Sequence, residues 1–170
     1  MQDIFHEQLI KRKPTTKDAL IRTAVIVGVF VVFAISMAVI PTFGMIITLV
    51  AGFMGYVLMG RLKREYEYSF TNGELDIDVI YNKSSRKRVF NGNVKDFELM
   101  AHIDDQAHNN SLASANEKLD YSTGVPSDRS YVFLTNYNSK RVAITIEPND
   151  VILEVMSKAL TRRKFYPKKM

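Results

Sequence analysis

The chain has 170 residues, with 23 Lys or Arg, 18 Asp or Glu and no Cys. This length allows one ordinary domain together with a further segment, and without Cys the fold has no disulfide framework. The excess of cations lies in residues 1–22 and 162–170, whereas residues 61–161 are slightly acidic. Because a nucleic-acid-binding domain needs a basic face on its folded part, we expect no nucleic-acid partner.

Residues 1–19 form a basic arm in front of the first apolar segment. Phe5 and Leu9 lie four residues apart, so a helix here would carry a weak apolar stripe. Two interpretations remain open: an interfacial helix attracted to anionic lipid, or a charge cluster that only sets membrane topology. The candidate lipid contacts in this arm are Lys11, Arg12 and Lys13.

No Lys, Arg, Asp, Glu or His occurs in residues 23–60. A charge at the centre of a bilayer costs about 2.5–3.5 kcal/mol, and a run of this length therefore predicts membrane-spanning structure. Pro and Gly within residues 41–44 predict a turn. We therefore expect a transmembrane helical hairpin in residues 20–62, with spans at 20–40 and 44–62. A cleaved signal peptide is the alternative, but a secretory leader requires neither the arm before it nor the second span after it.

The charges that flank the hairpin predict its orientation. Cations precede the first span and follow the second, whereas the connection between the spans carries none. By the positive-inside rule both termini face the cytoplasm, and we expect a multi-pass protein of the plasma membrane. The candidate helix-packing residues are Ala51, Gly52 and Gly55, which serve either the hairpin itself or contact with a second copy or another membrane protein.

After Arg64 apolar residues alternate with polar ones, which predicts β-strands. Asn72-Gly73 is typical of a two-residue hairpin turn, and such a turn sets Phe70 opposite Leu75. The same register places the apolar residues of both strands on one face. These residues are Tyr66, Tyr68, Phe70, Leu75, Ile77 and Val79.

The opposite face of this hairpin is acidic. In some proteins paired carboxylates serve acid/base catalysis or bind a divalent cation. The next predicted strand begins with three cations, Arg86-Lys87-Arg88. We favour cross-strand ion pairs, and we assign no catalytic, cofactor-binding or metal-binding residue here. The acidic side chains are Glu65, Glu67, Asp76 and Asp78.

Residues 94–101 predict a fourth strand with Phe97 and Leu99 inward, and residues 102–128 predict a long loop that contains a short helix near 111–119. A loop of this length is functional or disordered, and the sequence leaves both open. The loop holds the only cluster of metal-ligand residue types, which we interpret as solvated side chains. This cluster consists of His102, Asp104, Asp105 and His108.

Two further strands at residues 130–135 and 141–146 are joined by a four-residue loop, which sets Phe133 opposite Val142 and Tyr131 opposite Ile144. The apolar stripe of residues 150–161 predicts a closing amphipathic helix that packs on the sheet. Residues 162–170 form a basic tail, interpreted either as a lipid-surface contact or as a frayed terminus. Its candidate lipid contacts are Arg162, Arg163, Lys164, Phe165, Tyr166, Lys168 and Lys169.

The order of elements resembles that of the bacterial pleckstrin-homology-like (PH-like) domains found in small membrane proteins. The resemblance rests on patterns in residues 68–77, on Arg86-Lys87-Arg88 before residues 94–97, and above all on residues 131–160. The whole chain is also similar to a family of two-span proteins from Gram-positive bacteria. The resemblance implies a half-open barrel closed by a helix, without catalytic residues. The chain departs from that fold in its long 102–128 segment and in having six predicted strands where the fold has seven.

Together these expectations describe an α+β membrane protein. A transmembrane hairpin precedes residues 63–161, which form an antiparallel β-barrel or sandwich of PH-like type closed by an amphipathic helix. The expected function is a non-enzymatic cytosolic binding or scaffold module, without a cofactor, whose partners are membrane lipid and another protein. The alternatives are an accessory subunit of a transporter or envelope complex, a homo-oligomer formed through the hairpin, and an enzyme using the outer carboxylates or the His/Asp loop.

Overall fold

The computed structural model describes residues 5–160 and 164–168. The chain divides into two units. A helical unit consists of residues 14–64 and 81–85, and a β unit contains the other described residues. The β unit therefore draws on sequence from both sides of the apolar helices.

The helical unit contains α1 (Thr16–Val39) and α2 (Pro41–Gly60). A capping box begins α1, because the Thr15 side chain accepts from the Asp18 backbone and the Asp18 carboxylate accepts from the Thr15 backbone. The predicted turn at residues 41–44 is wrong, since Ile40 is the only non-helical residue between the helices. Pro41 occupies the first position of α2, where its missing N–H costs nothing.

Both helices are long and apolar enough to cross a membrane. In their most apolar stretches only 6% and 11% of the residues are buried. Large apolar side chains point outward along both helices. Phe30, Leu49 and Phe53 are 67–68% exposed.

Small residues allow α1 and α2 to approach each other closely. A Cβ added to Gly44 would lie 3.1 Å from the Ser36 backbone, and one added to Gly55 would lie 3.0 Å from Val25. The Ser36 hydroxyl also donates to the Gly44 carbonyl at 3.2 Å. Of the predicted packing residues, Gly55 therefore packs within the helix pair, Ala51 is half-buried, and Gly52 has open space around its Cβ position.

The β unit begins with a four-stranded sheet, here called sheet A, in the order β1-β2-β3-β4. Asn72 and Gly73 have φ angles of 50° and 97°, which confirms the predicted two-residue turn between β2 and β3. All six predicted apolar residues of this hairpin are buried, so the predicted inner face is also confirmed. The strands are β1 (Phe5–Lys11), β2 (Arg64–Thr71), β3 (Glu74–Tyr81) and β4 (Ser85–Asn93).

Strand β1 corrects the interpretation of the amino-terminal arm, because residues 5–11 are extended and not helical. The strand pairs antiparallel to β2, with Lys11 opposite Glu65. Its inward positions include Gln8, whose amide donates to the Glu147 carbonyl and accepts from the Asn149 N–H. The apolar Phe5 and Leu9 instead point outward, and residues four apart lie on one face of a strand as well as of a helix.

The second sheet, here called sheet B, has the order β6-β8-β7-β5-β9. The pairs β5–β9 and β6–β8 are parallel, so the expectation of an antiparallel structure holds only for the others. The described residues form nine strands in two separate sheets and no closed barrel. The strands are β5 (Leu99–His102), β6 (Glu117–Asp120), β7 (Tyr131–Tyr137), β8 (Lys140–Ile146) and β9 (Phe165–Tyr166).

The predicted register of β7 and β8 is wrong by two residues. Tyr131 lies opposite Ile146 and Phe133 lies opposite Ile144. Asn138 and Ser139 have φ angles of 51° and 62° and form a two-residue turn, so the strands extend further than predicted. The predicted fourth strand also begins later, because Val94–Asp96 forms a 3-10 turn before β5.

The segment 102–128 is ordered and covers the outer face of sheet B. It contains a short helix, α3 (Asn109–Ala113), and the strand β6, which replace the predicted helix near 111–119. The outer face carries an apolar cluster against which Leu112, Ala115 and Tyr166 pack. This cluster consists of Leu99, Ala101, Leu134 and Ala143.

The core is formed by buried apolar side chains of both sheets together with those of α4 (Asp150–Ala159). Asn149 caps this helix by accepting from the Ile152 N–H at 2.8 Å, and Ile152 and Met156 are completely buried. Aromatic rings join the two sheets, since Phe133 of β7 stacks on Phe97 at 4.1 Å and contacts Phe90 of β4 at 5.3 Å.

Candidate functional site

Residues 164–168, here called the C-terminal segment, lie along the free edge of β5. Phe165 pairs with Met100 and Tyr166 pairs with Ala101 in parallel orientation. The Met100 N–H donates to the Lys164 carbonyl at 2.7 Å. The β5 edge is therefore satisfied by the carboxyl-terminal end of the same chain. The interpretation of the tail as a frayed terminus is wrong for these residues.

Two rings of the segment contact rings of the β unit. Phe165 stacks on Tyr131 with centroids 6.0 Å apart, and Tyr166 stacks on His108 with centroids 3.7 Å apart. Tyr166 also packs against the outer apolar cluster of sheet B. Because such ring pairs add about 0.5–1.5 kcal/mol each beyond area burial, they are the main side-chain attachment of the segment.

Charged contacts mark both ends of the segment. Lys168 Nζ lies 2.6 Å from Asp128 Oδ1, and Lys164 Nζ donates to the Lys95 carbonyl at 3.1 Å. The hydrogen bond from Lys168 lowers the pKa of Asp128, and the same contact raises the pKa of Lys168. Both groups are exposed, so the ion pair adds little to the stability of the fold. Its main effect is to favour a cation at position 168.

A cleft of about 290 Å³ lies between the segment and the loop that follows β5. We call the cleft together with the β5 edge the edge site. It brings together the His/Asp loop and the basic tail, which nothing in the sequence places side by side. The cleft is lined by His102, Asp104, Asp105, Gln106, Ala107, Pro167 and Lys168.

His102 is a structural residue of the edge site. Its ring is 1% exposed, and its Nδ1 accepts from the Asp104 N–H at 3.2 Å. The neutral tautomer then carries its hydrogen on Nε2, which lies 3.2 Å from the Asp128 carbonyl oxygen and donates to it. Both ring nitrogens are occupied, and the ring has no lone pair left for a metal ion.

Asp105 and His108 are bound to each other, with Asp105 Oδ2 at 2.7 Å from His108 Nδ1. The other Asp105 oxygen accepts from the Ala107 N–H at 3.0 Å and begins the 3-10 turn Gln106–His108. Among the described residues no three His, Cys, Asp or Glu side chains are grouped closely enough to hold a metal ion. The four residues of the sequence cluster therefore shape the loop.

The predicted ion pairs across sheet A are confirmed. Arg86 contacts Glu67 and lies 2.6 Å from Asp78, and Arg88 lies 2.8 Å from both Asp76 and Asp78. The hydrogen bond from Arg88 lowers the pKa of Asp78. Burial, together with a hydrogen bond to Glu7, raises the pKa of Glu67 despite its contact with Arg86. The carboxylates serve as partners of the arginines.

The predicted lipid contacts of the amino-terminal arm belong to the β unit. Lys11 lies in β1, Arg12 Nη1 donates to the Tyr66 hydroxyl at 3.0 Å, and the Lys13 N–H donates to the Thr123 carbonyl at 2.8 Å. In the tail, the C-terminal segment is bound as described above. Three further candidates lie outside the described residues: Arg162, Arg163 and Lys169.

Glu147 is an unpredicted residue that holds the segment before β7. One carboxylate oxygen accepts from the hydroxyls of Ser127 and Ser130 at 2.7 and 3.0 Å, and the other accepts from the Thr123 N–H at 3.0 Å. Its own N–H donates to the buried Tyr68 hydroxyl at 3.2 Å. These bonds fix the approach to Asp128, whose carbonyl accepts from His102 and whose side chain pairs with Lys168, two residues of the edge site.

The comparisons with known proteins give one match. The family described as a bacterial PH-like domain (DUF6106) matches residues 2–166, nearly the whole chain. No curated protein and no solved structure matches the chain. The family includes the apolar helices as well as the β unit. The chain therefore belongs to this family of bacterial PH-like domains.

Proposed function

We propose that the chain is a membrane-anchored, non-enzymatic binding module whose β unit lies in the cytoplasm. The observation that carries the proposal is the outward-facing apolar surface of α1 and α2, which has no cover within the helical unit. In water such a surface is far larger than a soluble protein tolerates, whereas a bilayer covers it. The flanking cations at residues 11–22 and 61–64 favour the cytoplasmic orientation.

The proposal of a binding module, and not of an enzyme, is supported by the ion pairs and hydrogen bonds that the polar side chains make within the chain. The buried carboxylates of sheet A are matched by arginines, and both histidines of the 102–108 loop have ring nitrogens bound to the chain itself. At the edge site, strand pairing, aromatic rings and a carboxylate hold an extended segment of the chain itself. These groups recognise an extended peptide and perform no bond chemistry.

Membrane anchoring is tested by expressing the full-length chain in bacterial cells and washing the membranes with alkaline carbonate. An integral protein stays in the pellet, and release into the supernatant contradicts the anchor. Orientation is tested with single cysteines, because the chain has no natural Cys. Thr42→Cys lies in the first turn of α2, and the exposed Lys87→Cys lies in β4.

A membrane-impermeant maleimide should label Thr42→Cys in intact cells with a permeable outer envelope, and should label Lys87→Cys only after lysis. Labelling of Lys87→Cys in intact cells contradicts the cytoplasmic placement. Both variants should retain the near-UV circular dichroism of the parent chain, which controls for misfolding.

A further inference from the structure

A cavity of about 310 Å³ lies in the helical unit, at the end where the uncharged run of residues 23–60 begins and ends. We propose that this cavity, here called the interface pocket, binds the phosphate group of an anionic phospholipid. The inference rests on the proposed function, because a bilayer around α1 and α2 is what brings phospholipid headgroups to the pocket. The pocket is lined by Arg22, Tyr56, Met59, Gly60, Lys63 and Asn82.

The pairing of α1 with α2 brings the two cations of the pocket together. Arg22 lies just before the uncharged run and Lys63 just after it. The close contact between Gly55 and Val25 sets this end of α1 beside the end of α2. The turn between β3 and β4 completes the pocket, because the Asn82 N–H donates to the Lys63 carbonyl at 3.0 Å.

The charge of the helical unit favours an anion. The unit contains six cations and one acidic residue, Asp18. The Asp18 carboxylate accepts from the Thr15 N–H at 2.8 Å and from the Thr15 hydroxyl at 2.9 Å. Among the described residues, Arg22 and Lys63 have no ion-pair partner, and none that lines the pocket is acidic. The pocket therefore offers two cations that the described part of the chain does not pair.

The polar groups of the pocket are suited to phosphate oxygens. The Arg22 guanidinium presents N–H groups in a planar fork that fits two oxygens of one phosphate, and the Lys63 ammonium adds three donors. The Asn82 amide and the Tyr56 hydroxyl are further donors. The volume lies at the lower end of the range of about 300–1,000 Å³ for small-ligand sites, which fits a single headgroup. Basic pockets beside transmembrane helices at the cytoplasmic side are typical of sites for anionic headgroups.

Apolar surface next to the pocket favours a lipid over free phosphate. Phe53 and Leu49 lie three and seven residues before Tyr56, so all three share one face of α2. These two side chains are 68% and 67% exposed. On α1, Ile26 lies four residues after Arg22 and is also exposed. An acyl chain that leaves the pocket can lie along this surface, whereas inorganic phosphate has no use for it.

The test measures ligand binding to the full-length protein purified in dodecyl maltoside, a detergent without phosphate. Native mass spectrometry counts the bound molecules during a titration with phosphatidylglycerol. Three further titrations use phosphatidylcholine with the same acyl chains, sn-glycerol 3-phosphate and inorganic phosphate. The two soluble ligands distinguish a lipid site from a site for free phosphate.

The variants change the charge of the pocket and are matched by controls outside it. Arg22→Gln and Lys63→Gln each remove one cation of the pocket, whereas Arg61→Gln removes a nearby cation that does not line it. Asn82→Asp adds a carboxylate at the pocket, and its control, Ser84→Asp, adds one at an exposed position of the same turn. All variants should retain the near-UV circular dichroism of the parent chain, which controls for misfolding.

We expect one phosphatidylglycerol per chain to bind about fivefold or more tightly than phosphatidylcholine, because the latter has no net charge. Arg22→Gln and Lys63→Gln should each weaken this binding by about tenfold, because a charged hydrogen bond is lost. Asn82→Asp should weaken it by a similar factor through repulsion. Arg61→Gln and Ser84→Asp should each change it by less than about twofold, because solvent and salt screen exposed charges.

Equal affinities for phosphatidylglycerol and phosphatidylcholine overturn the inference, as does equal weakening by Arg22→Gln and Arg61→Gln. Binding of glycerol 3-phosphate or inorganic phosphate as tightly as phosphatidylglycerol overturns the assignment to a lipid. Carbonate washing of the membranes separates this inference from the proposed anchor. Protein that stays in the pellet but binds both lipids equally contradicts only the phospholipid site. Protein released into the supernatant contradicts the anchor and, with it, the inference.

Discussion

Removing the hydroxyl of Tyr68 should destabilise the β unit far more than the same change two residues away. The Tyr68 side chain is completely buried. Its hydroxyl donates to the Tyr121 carbonyl at 2.5 Å and accepts from the Glu147 N–H at 3.2 Å. It thereby joins β2 to the segment after β6 and to the end of β8.

In Tyr68→Phe both backbone partners lose this bond inside the protein. An unsatisfied buried group costs about 1–3 kcal/mol, so two of them predict a loss of about 2–4 kcal/mol in the free energy of unfolding. The matched control is Tyr66→Phe, on the same strand and face. Tyr66 accepts from Arg12, which keeps access to water, and the control should lose less than about 1 kcal/mol.

The assay is urea unfolding of the full-length protein in detergent micelles, followed by the near-UV circular dichroism of its tyrosines. Amide hydrogen exchange in β8 localises the effect. Equal midpoints for Tyr68→Phe and Tyr66→Phe would refute the reasoning, because the first change leaves two backbone groups without their partner and the second leaves one side chain that keeps access to water.

The same variant has a predicted pH signature. Burial raises the pKa of Tyr68 above its ordinary value near 10. A raised folded-state pKa contributes stability that is complete below the unfolded-state pKa and is lost as the pH rises above it. The difference between the parent chain and Tyr68→Phe should therefore be constant from about pH 7 to 9 and shrink above about pH 10. A difference that grows in alkali contradicts this assignment.

Two further predictions concern the sheet A ion pairs and the helix contact. Asp78 has a lowered pKa, so the loss of unfolding free energy in Asp78→Asn should be largest at about pH 7 and should shrink as the pH falls below the ordinary pKa of 3.8. Glu67 has a raised pKa, so the loss in Glu67→Gln should fall as the pH rises above the ordinary pKa of 4.5. Urea unfolding between about pH 3 and 7 checks both trends. Gly44→Ala forces a methyl group against the Ser36 backbone and should destabilise the helix pair by about 1–3 kcal/mol. The control Gly28→Ala meets no atom within 4 Å and should not destabilise it. Thermal unfolding in detergent, followed by far-UV circular dichroism, should distinguish the two variants.

The sequence predicted those parts of the fold whose signals are local. The β2–β3 hairpin could be read because its apolar residues alternate without interruption and Asn72-Gly73 is a typical turn for such a hairpin. The β7–β8 turn carries the same backbone conformation at Asn138 and Ser139, but without Gly the pair does not stand out. The sequence therefore predicts a longer loop there, which shifts the predicted pairing by two residues.

The edge site could not be predicted, because its parts are distant in sequence and individually weak. Strand β9 has two residues, which is too short for any periodicity. His108 and Tyr166 are 58 positions apart, and only the fold stacks their rings. Strand β1 could not be recognised from an apolar pattern either, because its inward residue Gln8 is polar and is held by hydrogen bonds to Glu147 and Asn149, just before α4.

The place of β1 also decides which fragment of the chain can fold alone. Lys11 and Glu65 are antiparallel partners, so α1 and α2 are inserted into what would otherwise be a β-hairpin connection. A fragment of residues 63–170 lacks β1, which exposes the edge of β2 and removes both Gln8 bonds to the chain before α4.

We therefore expect the 63–170 fragment to be poorly folded. A chain in which residues 14–63 are replaced by a linker of about four Gly and Asn residues should instead give a soluble β unit, because hairpin partners need only a short connection. Heteronuclear NMR dispersion and hydrogen exchange of β2 distinguish the two shortened chains. Equal dispersion and equal protection in both would mean that β1 contributes nothing to the β unit. A folded linker chain beside a disordered 63–170 fragment would establish that the β unit is completed by residues on both sides of the helices.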